Sequence, residues 1–158
     1  MPSPRTPAHD FFEMHVVPNH EAWLAQPTDI RLAMNGVLSL YHMADHFWHA
    51  YATTDPNRIF STANSGLFRA ELANRNHRFA VLRDVAEAHK HMKLGRQTRV
   101  LTESKQTAVG STGYGQAGYG TGPYGGGPSI VVELDDNTKH HLSYLAQEVR
   151  QLWLSMLP

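Results

Sequence analysis

Residues 29–53, DIRLAMNGVLSLYHMADHFWHAYAT, carry a long helical pattern in this chain of 158 residues. Thr28 is a good N-terminal cap for such a helix, and the segment Asp55-Pro56-Asn57 ends it. Apolar side chains recur at spacings of three and four, at Val37, Leu40, Tyr41, Ala44, Phe47, Trp48 and Tyr51. This spacing places them on one face, so the sequence predicts a long helix packed against a core.

Shorter helical patterns lie on both sides of this segment. They cover residues 8–17, residues 20–26, a stretch capped by Ser65, residues 78–93, and a last helix that Asp136 and Asn137 cap. Residues 98–105 and 129–134 have strand character and flank a glycine-rich window, which favours a two-stranded hairpin. We therefore predict one mainly α domain over residues 1–158. It is a bundle of four to five helices, with a β-hairpin and a Gly/Tyr-rich loop (residues 106–128) inserted before the last helix.

The glycine-rich window concentrates nine of the 12 glycines between Gly110 and Gly127. Tyrosines recur in it every five residues, at Tyr114, Tyr119 and Tyr124. No Gly-Lys-Ser/Thr follows, so the window is not a phosphate-binding P-loop. Two interpretations remain open: a flexible low-complexity excursion, or an ordered loop whose tyrosines pack on the bundle or on a partner.

Composition excludes several classes of protein. The chain has no cysteine, which rules out disulfide frameworks, thiolate metal sites and cysteine nucleophiles. No apolar run approaches the roughly 20 residues that span a bilayer, so we expect no membrane contact. The N-terminus, MPSPRTPAHD, lacks the apolar segment of a secretory peptide, and we expect a cytoplasmic protein.

Charge is balanced overall, with 14 basic and 14 acidic residues, but not along the chain. Residues 58–99 contain nine basic side chains against three acidic ones, Glu71, Asp84 and Glu87. This basic segment could contact RNA or another phosphate-bearing ligand. The alternative is an arginine-rich face that only meets solvent.

Histidine is abundant, with 11 residues, and several fall on one side of the long helix. At 100° per residue, His42, Asp45, His46 and His49 share an arc of about 100°. Histidines at i and i+4 can bind one metal ion from adjacent turns, and a nearby aspartate can bind it or orient a ring. The alternatives are a polar face in water, and metal-free acid–base or nucleic-acid chemistry.

A second polar stripe lies on the predicted helix over residues 78–93, where Asp84, Glu87 and His91 share a face. If the two stripes meet, they form a pocket between the helices. Metal ligands would then be His42, His46, Asp84, Glu87 and His91, and Asp45 and His49 would orient them or act as bases. Such a set suits Fe, Mn, Zn or Ni, and predicts a metalloenzyme that activates water or dioxygen.

The segment Arg83-Asp84-Val85-Ala86-Glu87-Ala88-His89 resembles the signature of the HEPN superfamily of small helical ribonucleases and nucleotide-binding proteins. The resemblance implies a metal-independent ribonuclease, usually dimeric. Arg83 would stabilise the phosphate, and His89 would act in acid–base cleavage by the 2′-hydroxyl. A third hypothesis is a non-catalytic assembly or nucleic-acid-binding protein that uses the Gly/Tyr-rich loop and the basic segment as contact surfaces. A homo-oligomer is compatible with each hypothesis.

Overall fold

The computed structural model describes residues 5–95, 99–110 and 128–158. Its longest element is helix α3 (Ile30–Tyr51), which confirms the prediction from residues 29–53. Its cap is Asp29 rather than Thr28, because the Asp29 carboxylate accepts hydrogen bonds from the backbone N–H groups of Arg31 and Leu32. The predicted apolar face is largely buried, and α3 packs against every other described helix.

The N-terminal segment is one continuous helical run with three parts: α1 (Pro7–Phe11), a π-helical turn (Phe12–Val16) and α2 (Val17–Ala25). The predicted break between the patterns over residues 8–17 and 20–26 does not occur. Pro18 lies in the first turn of α2, directly after the wider π turn, where a proline ring and its missing N–H are tolerated.

Helices α4 (Ser65–Arg75) and α5 (His77–His91) are separated by a single residue, Asn76. The Asn76 side chain accepts a hydrogen bond from Phe79 N at 2.9 Å and so caps α5. Asn64, rather than Ser65, caps α4 in the same way. The prediction of a helix over residues 78–93 is confirmed within two residues at each end.

A three-stranded antiparallel sheet precedes the last helix, in the order β1 (Thr107–Gly110), β2 (Ser129–Glu133) and β3 (Lys139–His141). A hairpin is present as β1–β2, but the strand predicted over residues 98–105 is wrong. Ser104–Gln106 forms a 3-10 turn, and β1 lies in the first residues of the predicted loop. Strand β3 was not predicted, and the last helix, α6 (Leu142–Met156), begins later than its predicted caps. The predicted caps instead form a turn, with Asn137 in the left-handed region at φ 67°. The predicted Gly/Tyr-rich loop falls mostly outside the described residues.

The core forms around α3. Phe47 of α3 lies against Phe68 of α4 and Trp153 of α6, and the Trp153 indole donates a hydrogen bond to the Leu40 carbonyl at 3.0 Å. The mainly helical class with an inserted sheet is therefore confirmed. Among the helices of the described residues, none combines the length and the apolarity needed to cross a membrane.

Candidate functional site

The histidine stripe of α3 faces the N-terminal helices rather than α5. His46 stacks on Phe11 of α1, with ring centroids 3.7 Å apart and an interplanar angle of 13°. His42 lines a shallow groove of about 230 Å³ together with His15 of the π turn. Burial lowers the pKa of His46. These imidazoles therefore lie on a different side of α3 from the carboxylates of α5.

The other two members of the stripe are also separated from α5. Asp45 accepts a hydrogen bond from Arg69 Nη1 of α4 at 2.5 Å, and the Arg69 guanidinium lies 5.4 Å from the centre of the Tyr41 ring. His49 is exposed, and its ring meets the edge of the neighbouring Trp48. The predicted orienting residue Asp45 thus pairs with an arginine instead of a histidine.

Asp84 lies at the centre of a buried group of charges. Its carboxylate, which is fully buried, accepts hydrogen bonds from Arg83 Nε at 2.8 Å, Arg99 Nη1 at 2.9 Å and the backbone N–H of Val100 at 2.8 Å. Three donors, two of them cationic, leave this carboxylate well compensated. We call Arg83, Asp84, Glu87 and Arg99 the Asp84 ion cluster.

Glu87 completes the cluster and ties it to α3. It accepts a hydrogen bond from the Tyr41 hydroxyl at 2.7 Å and forms an ion pair with Arg99 Nη2 at 2.6 Å. Burial works to raise the pKa of Glu87, but the hydrogen bonds from Tyr41 and Arg99 outweigh it and keep that pKa below its ordinary value. Helices α3 and α5 therefore meet through a tyrosine and an ionised carboxylate.

The predicted metal ligands are consequently not brought together. Asp84 and Glu87 form ion pairs with Arg99. His42 and His46 lie near Phe11, and His91 is exposed at the end of α5. No group of three histidines or carboxylates in the described part of the chain is close enough to hold a metal ion. His141 is buried in β3, with its Nδ1 2.5 Å from Ser129 Oγ.

The residues of the ribonuclease-like motif are also apart. Arg83 is buried and paired with Asp84, whereas His89 is exposed and borders a small cavity of about 50 Å³ beside Val85 and Ser104. Because α5 continues without a break to His91, the side chains of Arg83 and His89 leave the helix in different directions.

Most of the basic segment is neutralised by carboxylates. Ion pairs join Arg58 to Asp55, Arg69 to Asp45, Arg75 to Glu71, Arg78 to Glu148, Arg83 and Arg99 to Asp84, and Lys93 to Glu103. The arginines that make residues 58–99 basic in the sequence are therefore mostly paired with carboxylates in the structure.

A different site, which sequence reasoning missed, lies where α4 and α6 end beside the loop that follows α3. It is an open cleft of about 430 Å³. Its lining combines apolar and polar side chains: Phe47, Phe60, Leu72, Leu152 and Met156, with Asn57, Arg58, Arg75, Asn76 and Ser155. We call it the Arg58/Arg75 cleft.

The loop after α3 shapes this cleft through two left-handed residues. The 3-10 turn Pro56–Ile59 ends at Phe60, and both Phe60 and Ser61 have positive φ, at 54° and 53°. Ser61 N donates to the Pro56 carbonyl at 2.8 Å, which closes the turn and holds Phe60 at the cleft. Such a conformation costs roughly 1–2 kcal/mol for a residue with a Cβ, and strain of this kind clusters at functional sites.

The two arginines are only partly paired. Arg75 uses Nε for Glu71, and its guanidinium lies 4.3 Å from the centre of the Phe60 ring. Arg58 uses Nε for Asp55 and Nη1 for the Met156 carbonyl. Both Nη groups of Arg75 and Nη2 of Arg58 make no hydrogen bond within the described residues.

The cleft lining contains no aspartate, glutamate, histidine, lysine or cysteine. It therefore offers hydrogen-bond donors and an apolar surface, but no side chain for general acid–base catalysis. Its one hydroxyl, Ser155, has no acid or base among the lining residues to activate it as a nucleophile. The sequence signal was weak because the lining residues come from three distant segments, each of which reads only as a helix end.

Comparison with known protein families, with curated proteins and with solved structures finds no match to this chain. A functional assignment therefore depends on the geometry of the described residues.

Proposed function

We propose that this protein binds a small, largely apolar organic molecule in the Arg58/Arg75 cleft, and that this site recognises its ligand without transforming it. The observation that carries the proposal is the combination of a 430 Å³ cleft, an apolar floor and a few convergent polar groups. Ligand sites in proteins commonly have this size and this mixture of lining residues.

The packing around the cleft supports a site that exists before the ligand arrives. Phe47 and Leu72 in its floor belong to the main core, and Arg58 joins the loop after α3 to the end of α6 through the Met156 carbonyl. A preformed site loses less conformational entropy on binding than one that must be ordered by its ligand.

The metalloenzyme and ribonuclease hypotheses stay predictions. Each needs side chains to converge that are separated here: the histidines of α3 and the carboxylates of α5 for a metal, and Arg83 and His89 for RNA cleavage. The proposed function is non-catalytic, like the third hypothesis, but its ligand is a small molecule and its site is the Arg58/Arg75 cleft.

The test is to fill the cleft. Ser155 is exposed at the cleft, so Ser155→Trp would place an indole in the ligand space without disturbing the buried floor. Leu154→Trp is the matched control, because Leu154 is exposed on α6 but does not line the cleft. Neutral naphthamide serves as the probe, and its binding is followed through the backbone amide resonances of Asn57, Phe60 and Arg75.

We expect saturable shifts of these resonances in the wild type and in Leu154→Trp, and their loss in Ser155→Trp. Shifts that persist equally in both tryptophan variants would place the binding elsewhere. Failure of the wild type to bind naphthamide, and also its carboxylate analogue, would overturn the proposed function.

A further inference from the structure

We propose, on the basis of the binding function above, that the ligand of the cleft is an amphipathic monoanion. Its carboxylate would lie between Arg58 and Arg75, and its aromatic or acyl body would lie on the apolar floor. The proposal depends on which donors face the cleft, on the net charge around it, and on the surface that remains for the body of the ligand.

The first step concerns the hydrogen-bond donors. Arg58 and Arg75 both line the cleft, whereas their carboxylate partners Asp55 and Glu71 do not. The unused N–H groups of the two guanidiniums are therefore donors to a ligand, and a planar guanidinium matches the two oxygens of a carboxylate.

The second step concerns the helix ends around the cleft. Asn76 lines the cleft where α4 ends and α5 begins, so the negative end of one helix dipole and the positive end of the next meet there and offset each other. The Asn76 oxygen accepts from Phe79 N, which leaves the amide NH2 of its side chain as a further donor. The Met156 carbonyl at the end of α6 is already hydrogen-bonded to Arg58, which offsets the negative end of that helix.

The third step fixes the charge of the ligand. The two arginines and their two partners, Asp55 and Glu71, sum to zero, so the cleft attracts an anion through local donors rather than through a large net charge. A monoanionic carboxylate suits this balance better than a dianionic phosphate, which would face two nearby carboxylates with the same number of donors.

The fourth step fixes the body of the ligand. Leu72, Leu152 and Met156 offer an aliphatic floor, and the Phe60 ring lies beside the Arg75 guanidinium. A flat aromatic ring or a short acyl chain would cover this surface while its carboxylate reaches the arginines.

The experiment compares three probes that share a naphthalene body: naphthoate, neutral naphthamide and naphthyl phosphate. We expect naphthoate to bind roughly tenfold more tightly than naphthamide, because charge-assisted hydrogen bonds are stronger than neutral ones. In Arg75→Gln and in Arg58→Gln this preference should fall towards one, while naphthamide binding is retained. Arg31→Gln, an exposed arginine far from the cleft lining, is the matched control and should keep the preference.

The outcomes separate the two proposals. Equal binding of naphthoate and naphthamide would overturn the anion inference and leave the binding function standing. Tighter binding of naphthyl phosphate than of naphthoate would overturn the carboxylate assignment. A preference that survives both arginine substitutions would also overturn it, and thermal unfolding of each variant establishes that the loss is not a folding defect.

Discussion

The Asp84 ion cluster and the Arg58/Arg75 cleft each contain two arginines, yet the arginines differ in what they leave unused. In the cluster, Arg83 and Arg99 have side chains that are only 10% exposed, and they surround a carboxylate with no exposed surface. In the cleft, the side chains of Arg58 and Arg75 are 37% and 58% exposed, and some of their N–H groups have no acceptor among the described residues. The comparison teaches that residue type alone does not tell a paired, buried arginine from one that is open to a ligand.

The position of the cluster explains why it is so completely paired. The Asp84 carboxylate of α5 accepts a hydrogen bond from the backbone N–H of Val100. The Val100 carbonyl in turn accepts a hydrogen bond from the backbone N–H of Asp135, next to the sheet. The cluster therefore joins the helical part of the molecule to the sheet. A buried carboxylate can perform this task only if it is fully compensated.

The largest expected effect comes from breaking the cluster. Asp84→Ala leaves two nearly buried guanidiniums without their shared carboxylate, and we expect it to lower the free energy of unfolding by about 3–5 kcal/mol in urea titrations. Asp10→Ala is the control, because its ion pair with Arg5 is exposed and is expected to contribute far less to stability. Similar losses in the two variants would contradict the structural role of the cluster.

A smaller effect is expected from removing one hydroxyl of the network. Tyr41→Phe keeps the ring but removes the donor to Glu87, and should cost about 1–3 kcal/mol of unfolding free energy. Tyr51→Phe is a matched control, since the buried Tyr51 hydroxyl has no hydrogen-bond partner among the described residues. This second substitution should be neutral or stabilising. If Tyr51→Phe cost as much as Tyr41→Phe, the assigned hydrogen bond would not be the cause.

The sequence predicted helices and strands better than it predicted which side chains contact each other. Periodic apolar residues were sufficient for α3 and α5, because burial of one face dominates the choice of helix. The predicted start of α6 was wrong because aspartate and asparagine, as at Asp136 and Asn137, are favoured both at helix caps and in tight turns. The short strand β3 then depends on pairing with β2, a tertiary contact that no local pattern records.

The candidate sites failed to emerge from the sequence for a related reason. The polar stripes on α3 and α5 were correctly identified as the polar residues of those helices, but their partners come from elsewhere. Asp45 meets Arg69, and Asp84 meets Arg99 on a loop. The cleft is assembled from three segments that are distant in the sequence, so its volume is a property of packing rather than of any motif.

His20 presents a third case, a buried histidine, and acid pH should expose the difference. It is only 1% exposed, and burial together with the charge of Arg150 lowers its pKa, which outweighs the opposing effects of Gln147 and Glu21. The unfolded chain then binds a proton near pH 6.5 that the folded chain does not. Stability from neutral His20 is therefore complete above this pH and is lost as the pH falls below it.

The measurement is the free energy of unfolding between pH 8 and about pH 5. One proton can contribute a slope of no more than about 1.4 kcal/mol per pH unit. His20→Leu should reduce the loss of unfolding free energy that the wild type shows as the pH falls. The rest of that loss is expected from His46, His140 and His141, whose pKa values burial also lowers. An unchanged slope in His20→Leu would show that His20 is protonated without cost.

The smallest expected effect concerns the strained turn at the cleft. Ser61→Gly removes the Cβ from a left-handed residue, and should raise the free energy of unfolding by about 0.5–1 kcal/mol. Ser143→Gly, within the right-handed helix α6, should instead lower it slightly. If Ser61→Gly also weakens naphthoate binding, the fixed turn holds Phe60 in position for the ligand. If the affinity for naphthoate is unchanged, the strained turn only changes the direction of the chain and does not contribute to binding. The contrast between the cluster and the cleft then depends on the arginines alone.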